Sequence, residues 1–189
     1  MPQLPLTAQN VADSTNLAPI GVKAADSVHE YLERTAGEKI SKTLACVSTG
    51  TVVNNVFAVT GACKILKLYG VVNTALANAT NVHFALYDGT ATLPLTKTTT
   101  ATLSALGVGT TFQKVAALAT ALNICDSAAG CVYENAGTDL FFPCVVQKKI
   151  NVATYIQFIY TTSTNPLAGN VTIYIEYRPD TTDGAIVAV

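Results

Sequence analysis

Residues 171–178, with the sequence VTIYIEYR, decide the fold class of this chain. Val171, Ile173 and Ile175 fall on one face of an extended segment, while Thr172 and Glu176 fall on the other. Successive side chains of a strand point to opposite faces, so this period of two predicts a half-buried β-strand. The segment gives the clearest periodicity in the chain.

A second segment, Tyr155–Thr161, has the same period, but both of its faces carry apolar groups. Tyr155 and Ile159 share one face, and Ile156 and Tyr160 share the other. A strand that is apolar on both faces is typically covered on both. We therefore expect one face of this strand to meet another subunit.

Short runs rich in Val, Ile, Thr, Phe and Tyr continue along the chain between turn residues, and they predict about seven or eight strands. No long helices alternate with them, which favours an antiparallel β-sandwich, jelly-roll-like, over the competing barrel. The Thr-rich stretch Leu93–Leu106 fits either a strand pair or a long surface loop. The predicted strands are Thr51–Thr60, Cys63–Asn73, Val82–Asp88, Phe112–Ala117, Leu140–Val146, Tyr155–Thr161 and Val171–Arg178.

The first 39 residues lack the strand pattern of the rest of the chain. Residues 1–22 contain three prolines and no periodicity, which predicts an extended arm. Asp26–Arg34 offers an N-cap aspartate and places Val28, Tyr31 and Leu32 on one helical face. We predict a short amphipathic helix that must dock on something, because a helix of this length is unstable alone. The expected organisation is an N-terminal arm with this helix at 1–39 and a β-sandwich domain at 40–189.

The composition excludes some partners and suggests others. Half of the residues are apolar, whereas 12% are charged, about half the usual share, so we expect protein rather than water to cover much of the surface. A net charge of −1 lacks the basic footprint of a nucleic-acid binder. No window has the ~18 apolar residues of a membrane span, and no secretory signal is evident. The sequence predicts a protein made and kept in a cytoplasm.

The residues that could carry chemistry form no recognisable catalytic or metal site. His29 and His83 lack a Cys, Asp or Glu at metal-ligand spacing, and no nucleophile elbow accompanies them. Most carboxylates fall in predicted turns or on the predicted helix. We expect no enzyme activity, no catalytic residue, no metal and no cofactor.

Five cysteines occur without CxxC spacing, and buried reduced thiols are the default interpretation for a cytoplasmic protein. Cys125 and Cys131 bracket the turn sequence DSAAG, so a disulfide between them is the minority hypothesis.

Two stretches carry a resemblance to a known group. The ending VTIYIEYRPDTTDGAIVAV, through Ile173, Tyr177 and Pro179, resembles the carboxyl-terminal strand and tail of small virion proteins of tailed bacteriophages. The segment VFAVTGACKILKLYGVVNTAL, Val56 to Leu76, is similar to their opening hairpin. The chain departs from the pattern at Ile173, where Trp is expected, and at Asp180, where Leu is common. Together the two stretches cover 40 of the 189 residues.

This resemblance implies a capsid decoration or cement protein of the phage head, located in the virion. Its partners would be the major capsid protein or other virion subunits, and it would be a homo-oligomer, with a trimer favoured. The low charge, the apolar strand faces and the arm fit a subunit that buries a large area against neighbours. From the sequence we assign the contacts to Val28, Tyr31, Leu32, Tyr155, Tyr160 and Tyr174.

Three alternatives remain open at this point. The chain could be a tail or fibre protein, or a small jelly-roll capsid protein that forms the shell itself. A carbohydrate- or receptor-binding β-sandwich module could use stacking tyrosines. An enzyme of another type would need His83 or a cysteine in a cleft with a perturbed pKa. The candidate stacking tyrosines are Tyr69, Tyr87, Tyr133, Tyr155, Tyr160 and Tyr174.

Overall fold

A computed structural model describes residues 37–46, 49–76, 79–98, 101–103, 106–115, 120–128, 144–162 and 169–189. This part of the chain is mainly β, as predicted, and holds eleven strands and no helix. The strands are β1 (Glu38–Ala45), β2 (Gly50–Thr60), β3 (Ala62–Thr74), β4 (Ala79–Tyr87), β5 (Thr92–Pro94), β6 (Thr111–Gln113), β7 (Asn123–Cys125), β8 (Cys144–Gln147), β9 (Thr154–Thr162), β10 (Asn170–Pro179) and β11 (Ala185–Ala188).

The described strands form two sheets. Sheet I has the order β1-β10-β3-β6-β7, and β8 also pairs with β3. Sheet II has the order β11-β2-β9-β4-β5. The pairs among β2 to β11 are antiparallel, which confirms the predicted strand direction.

The order of pairing is nested. β1 pairs with β10, β2 with β9, β3 with β8 and β4 with β5. The first four strands also alternate between the sheets, because β1 and β3 belong to sheet I and β2 and β4 to sheet II. The strands therefore pair as in one long hairpin. Successive strand pairs of this hairpin lie alternately in sheet I and sheet II.

Both sheets contribute to one hydrophobic core. Phe112 of β6 lies 6.1 Å from Phe84 of β4 and 5.6 Å from Phe158 of β9, measured between ring centroids. Gly70 of β3 lies opposite Phe112, and a methyl group at this position would overlap the phenyl ring. The glycine is thus required by the close approach of an aromatic side chain to the strand.

The alternation in β10 is confirmed. Val171, Ile173, Ile175 and Tyr177 are buried in the core, and the residues between them face outward. The prediction for Phe112–Ala117 is too long, since β6 ends at Gln113. Four strands, β1, β5, β7 and β11, were not predicted; β5 includes only two residues of the Thr-rich stretch, Leu93 and Pro94. The predicted helix and arm lie outside the described residues.

Candidate interaction surfaces

The two sheets differ in charge. The residues of β2, β4, β5, β9 and β11, which make up sheet II in the described part of the chain, include no Asp, Glu, Lys or Arg. Sheet I carries seven such residues on three strands. They are Glu38, Lys39, Lys42, Lys64, Lys67, Glu176 and Arg178.

The outer face of sheet I carries an aromatic pair with a cation. Tyr69 of β3 and Tyr174 of β10 are opposite in register, and their rings stack at 4.9 Å with an angle of 12°. Lys39 Nζ lies 5.5 Å from the Tyr69 ring centroid and 5.0 Å from that of Tyr174. A hydrogen bond with Tyr69 is the main cause that raises the pKa of Lys39. Beside this group, Lys67 Nζ lies 2.8 Å from Glu176 Oε2.

The contacts within this group use part of the ring surface on which a sugar could stack. Stacking on a sugar requires an open ring face, but each tyrosine uses one face on the other. Lys39 adds a cation–π contact to both rings. The group therefore acts chemically as a cross-strand contact that links β1, β3 and β10.

The outer face of sheet II is uncharged and partly buried. Ile156, Phe158 and Tyr160 belong to the core, so the alternating Gln157 and Ile159 point to the opposite face. Gln157 and Ile159 are nevertheless buried, as are Ala85 and His83 on the neighbouring β4. This face thus combines apolar side chains with neutral polar ones.

An amide pair joins β2 and β9 on this face. Gln157 Nε2 donates a 2.8 Å hydrogen bond to Asn55 Oδ1, and the two residues are opposite in register. Gln157 Oε1 is buried and has no hydrogen-bond partner among the described residues. A buried acceptor without a partner costs about 1–3 kcal/mol, so a donor reaching this atom would stabilise the protein.

His83, the candidate base of the enzyme alternative, has a local partner. Its Nδ1 lies 2.7 Å from the carbonyl oxygen of Asn81, so Nδ1–H donates this bond and the proton is placed on Nδ1. Asn81 itself adopts a positive φ of 52° beside the irregular pairing of β4 with β9. The contact fixes the ring at a bulge in the sheet.

The thiols of Cys46 and Cys144 are unsuited to nucleophilic attack. Burial raises the pKa of both, which keeps them protonated, and the reactive form of cysteine is the thiolate. Cys46 and Cys144 are free thiols. Cys125 is disulfide-bonded, so the default of unpaired thiols is wrong for this residue. Cys131 lies outside the described residues.

A cavity of about 290 Å³ lies at one end of the sheets, lined in part by Gly61, Lys148 and Asp183. Lys149 borders it, and its Nζ lies 3.4 Å from Asp88 Oδ2 and 3.0 Å from Thr90 Oγ1. In the part of the chain that the structure describes, no three His, Cys, Asp or Glu residues are grouped to hold a metal ion.

Of the six residues assigned to contacts from the sequence, the structure describes three, and these three lie in different places. Tyr160 is buried in the core, where burial, together with the neighbouring Cys46, raises its pKa to about 12. Tyr155 faces outward on sheet II and Tyr174 on sheet I. Val28, Tyr31 and Leu32 lie outside the described residues. The charge difference between the sheets was missed, although it could be read once strands were assigned to sheets.

Within the described residues, no helix is long and apolar enough to cross a membrane. No protein-family model, curated protein or solved structure matches the chain.

Proposed function

We propose that this chain is a non-enzymatic structural subunit of a virion, a capsid decoration or cement protein that stabilises the phage head through subunit–subunit contacts. The observation that carries the proposal is the uncharged sheet II. The virion assignment comes from the resemblance of the carboxyl-terminal strand and tail, and of the segment Val56 to Leu76, to small phage virion proteins.

The charge argument rests on desolvation. Removing a charge from water at a contact costs several kcal/mol unless it is paired, so the cores of protein interfaces are depleted of charged residues. All five strands of sheet II lack charged residues, whereas three strands of sheet I carry them. A protein that met only water on all sides would gain solubility from charges on both sheets. The segregation supports an assembly in which the exposed part of sheet II meets protein.

For the fold, the proposal is an antiparallel β-sandwich with jelly-roll-like topology. The nested pairing β1·β10, β2·β9, β3·β8 and β4·β5 supports it, since a jelly roll is a long hairpin rolled over two sheets. Viral capsid domains use this architecture, but lectin domains do so as well. The fold therefore agrees with the proposal without selecting it.

In the proposed mechanism, each copy bridges adjacent shell subunits. Its partners are the major capsid protein or other virion subunits, and it acts as a homo-oligomer, with a trimer favoured. Several contacts made by one oligomer raise the effective concentration of each, so releasing one contact does not release the oligomer. Stabilisation by binding alone requires no catalytic residue or cofactor.

The test combines light scattering with co-sedimentation. The purified chain is expected to form a discrete oligomer and to pellet with shells of the phage that encodes it, raising their disruption temperature. A protein that remains in the supernatant at saturating shell concentration would contradict the proposal. An unrelated β-sandwich protein of similar size is the control for trapping.

A second candidate, a small jelly-roll capsid protein that forms the shell itself, is favoured by the same nested strand order. It predicts closed particles from the purified chain alone, visible by electron microscopy, instead of a discrete small oligomer. A tail or fibre subunit would bind tails and not heads in the same sedimentation assay.

A further inference from the structure

One edge of sheet II is only half covered. β11 pairs with β2 at Phe57–Thr60, and Val189 N extends the ladder with a 3.1 Å bond to Val56 O. On this side of β2, no described strand pairs with the first half, Gly50–Asn55. A strand edge of this kind presents unpaired N–H and C=O groups, which are a template for pairing with another chain.

Three exposed valines line this edge. Val53 is 53% exposed, Val187 51% and Val189 44%. Val53 is opposite the outward-facing Ile159, and Val187 and Val189 alternate with the buried Ile186, so all three belong to the outer side of sheet II. The ladder contact of Val189 with Val56 places it along β2 between the other two. We call Val53, Val187 and Val189 the valine edge.

Three other edges of the described sheets are protected in ways that the valine edge is not. Proteins blunt exposed strand edges with charges, prolines or very short strands. β1, at the edge of sheet I, carries Lys39 and Lys42; β7, at the opposite edge, has three residues; and β5, at the far edge of sheet II, has three residues and ends in Pro94. β2 and β11 contain neither a charge nor a proline. A bulge at Val56 marks the point where the covered half of β2 ends.

We propose that the valine edge is a contact between copies of this chain, in which it packs against the valine edge of a second copy. The partner must bring an uncharged, apolar strand edge, because a charge placed against these valines would lose its hydration without a counter-charge. The valine edge itself meets that requirement. Residues beside a rotation axis meet their own counterparts, so one patch can complete the contact.

This inference rests on the proposed function, which it deepens by naming the residues that join the copies. The experiment compares Val53→Lys with Val145→Lys by light scattering over a concentration series. Val145 of β8 is 56% exposed and belongs to sheet I, so the same substitution is matched in exposure. At the valine edge the new lysine faces the lysine of the second copy, and like charges repel.

Val53→Lys is expected to reduce the measured mass to that of the 19.7 kDa monomer, and Val145→Lys to keep the wild-type mass. Val187→Lys is expected to behave like Val53→Lys and replaces it if that variant fails to give a β-sheet circular dichroism spectrum. Wild-type mass in both valine-edge variants, or a monomeric wild-type protein at every concentration, would overturn the inference.

Co-sedimentation separates this inference from the proposed function. If the wild-type protein is an oligomer that Val53→Lys dissociates, but it does not pellet with shells, the valine-edge contact is supported and the cement role is refuted. If the wild-type protein is a monomer that pellets with shells, the cement role is supported and the valine-edge contact is refuted.

Discussion

Sheet I and sheet II share one core but present different outer faces. On sheet I, Tyr69, Tyr174 and Lys39 contact one another, and Lys67 pairs with Glu176. The described strands of sheet II have no Asp, Glu, Lys or Arg, and the open edge of this sheet carries exposed valines. Lys39, Lys67 and Glu176 of sheet I have partners within the chain, whereas sheet II leaves an apolar edge without a described neighbour. This difference is the basis of the proposal that assembly covers sheet II.

The largest effect is expected where the sheets depend on each other. Phe158→Ala should lower the free energy of unfolding by about 3–5 kcal/mol, because the ring is buried between Phe84, Phe112 and Tyr160 and leaves a cavity. Urea denaturation measures the change. Ile150→Ala is the control, since this side chain is 83% exposed and its loss should change stability by less than about 0.5 kcal/mol. Equal losses would show that the sheets do not share this core.

A smaller effect is expected from the contact on sheet I. A double-mutant cycle of Tyr69→Ala and Tyr174→Ala should give a coupling energy of about 1 kcal/mol, because the rings stack across two strands. The control cycle uses Thr51 and Thr161 of sheet II, which are also opposite in register but exposed, with hydroxyls 3.4 Å apart. We expect below about 0.5 kcal/mol there. A coupling no larger than the control would remove the cross-strand role of the tyrosines.

Salt concentration should affect the contacts of sheet I and the association through sheet II differently. Glu176→Gln removes an exposed ion pair with Lys67 and should cost about 0.2–1 kcal/mol at low salt, less as the salt concentration rises. Association through the valine edge involves no charge and should not weaken with salt. Light scattering and denaturation in the same salt series measure both. An association that salt weakens would point to sheet I instead.

The smallest effect concerns a carboxylate in a turn beside sheet II. Asp88 Oδ1 accepts hydrogen bonds from the backbone N–H groups of Ala91 at 2.6 Å and Thr90 at 2.8 Å, which lower its pKa below the ordinary 3.8. A lowered folded-state pKa contributes stability that is present above the unfolded value and is lost as the pH falls through the folded value. Asp88→Asn should remove the contribution of this carboxylate to the pH dependence of the free energy of unfolding, measured by denaturation at a series of acidic pH values. A side-chain NMR titration that gave a pKa above 3.8 would contradict the assignment.

The sequence allowed the prediction of strands whose periodicity is local. The alternation of β10 sufficed because every other side chain is apolar, and β2, β3, β4 and β9 were located within three residues at each end. β1 was missed because its lysines resemble a polar linker, and β11 because AIVA follows a turn and has no alternation. Both strands form through pairing with distant segments, β10 and β2, which local sequence does not encode.

The surfaces were harder to predict than the strands. In β9 both faces are apolar, so the period of two placed Tyr155 and Tyr160 on opposite faces but did not say which face is internal. The core contacts of Tyr160 with Phe158 decide this, and they depend on how sheet I packs. The valine edge requires knowledge of where β11 stops along β2, which is a property of the pairing register.

Hydrogen–deuterium exchange of the assembled and the diluted, dissociated protein tests most directly whether sheet II is the face that assembly covers. The backbone amides of peptides that cover Gly50–Asn55 and Ala185–Val189 should become protected on assembly. Peptides from the strands of sheet I, such as β10, should keep their exchange rates. Protection confined to sheet I, or no change at the valine edge in a protein that has assembled, would contradict the account.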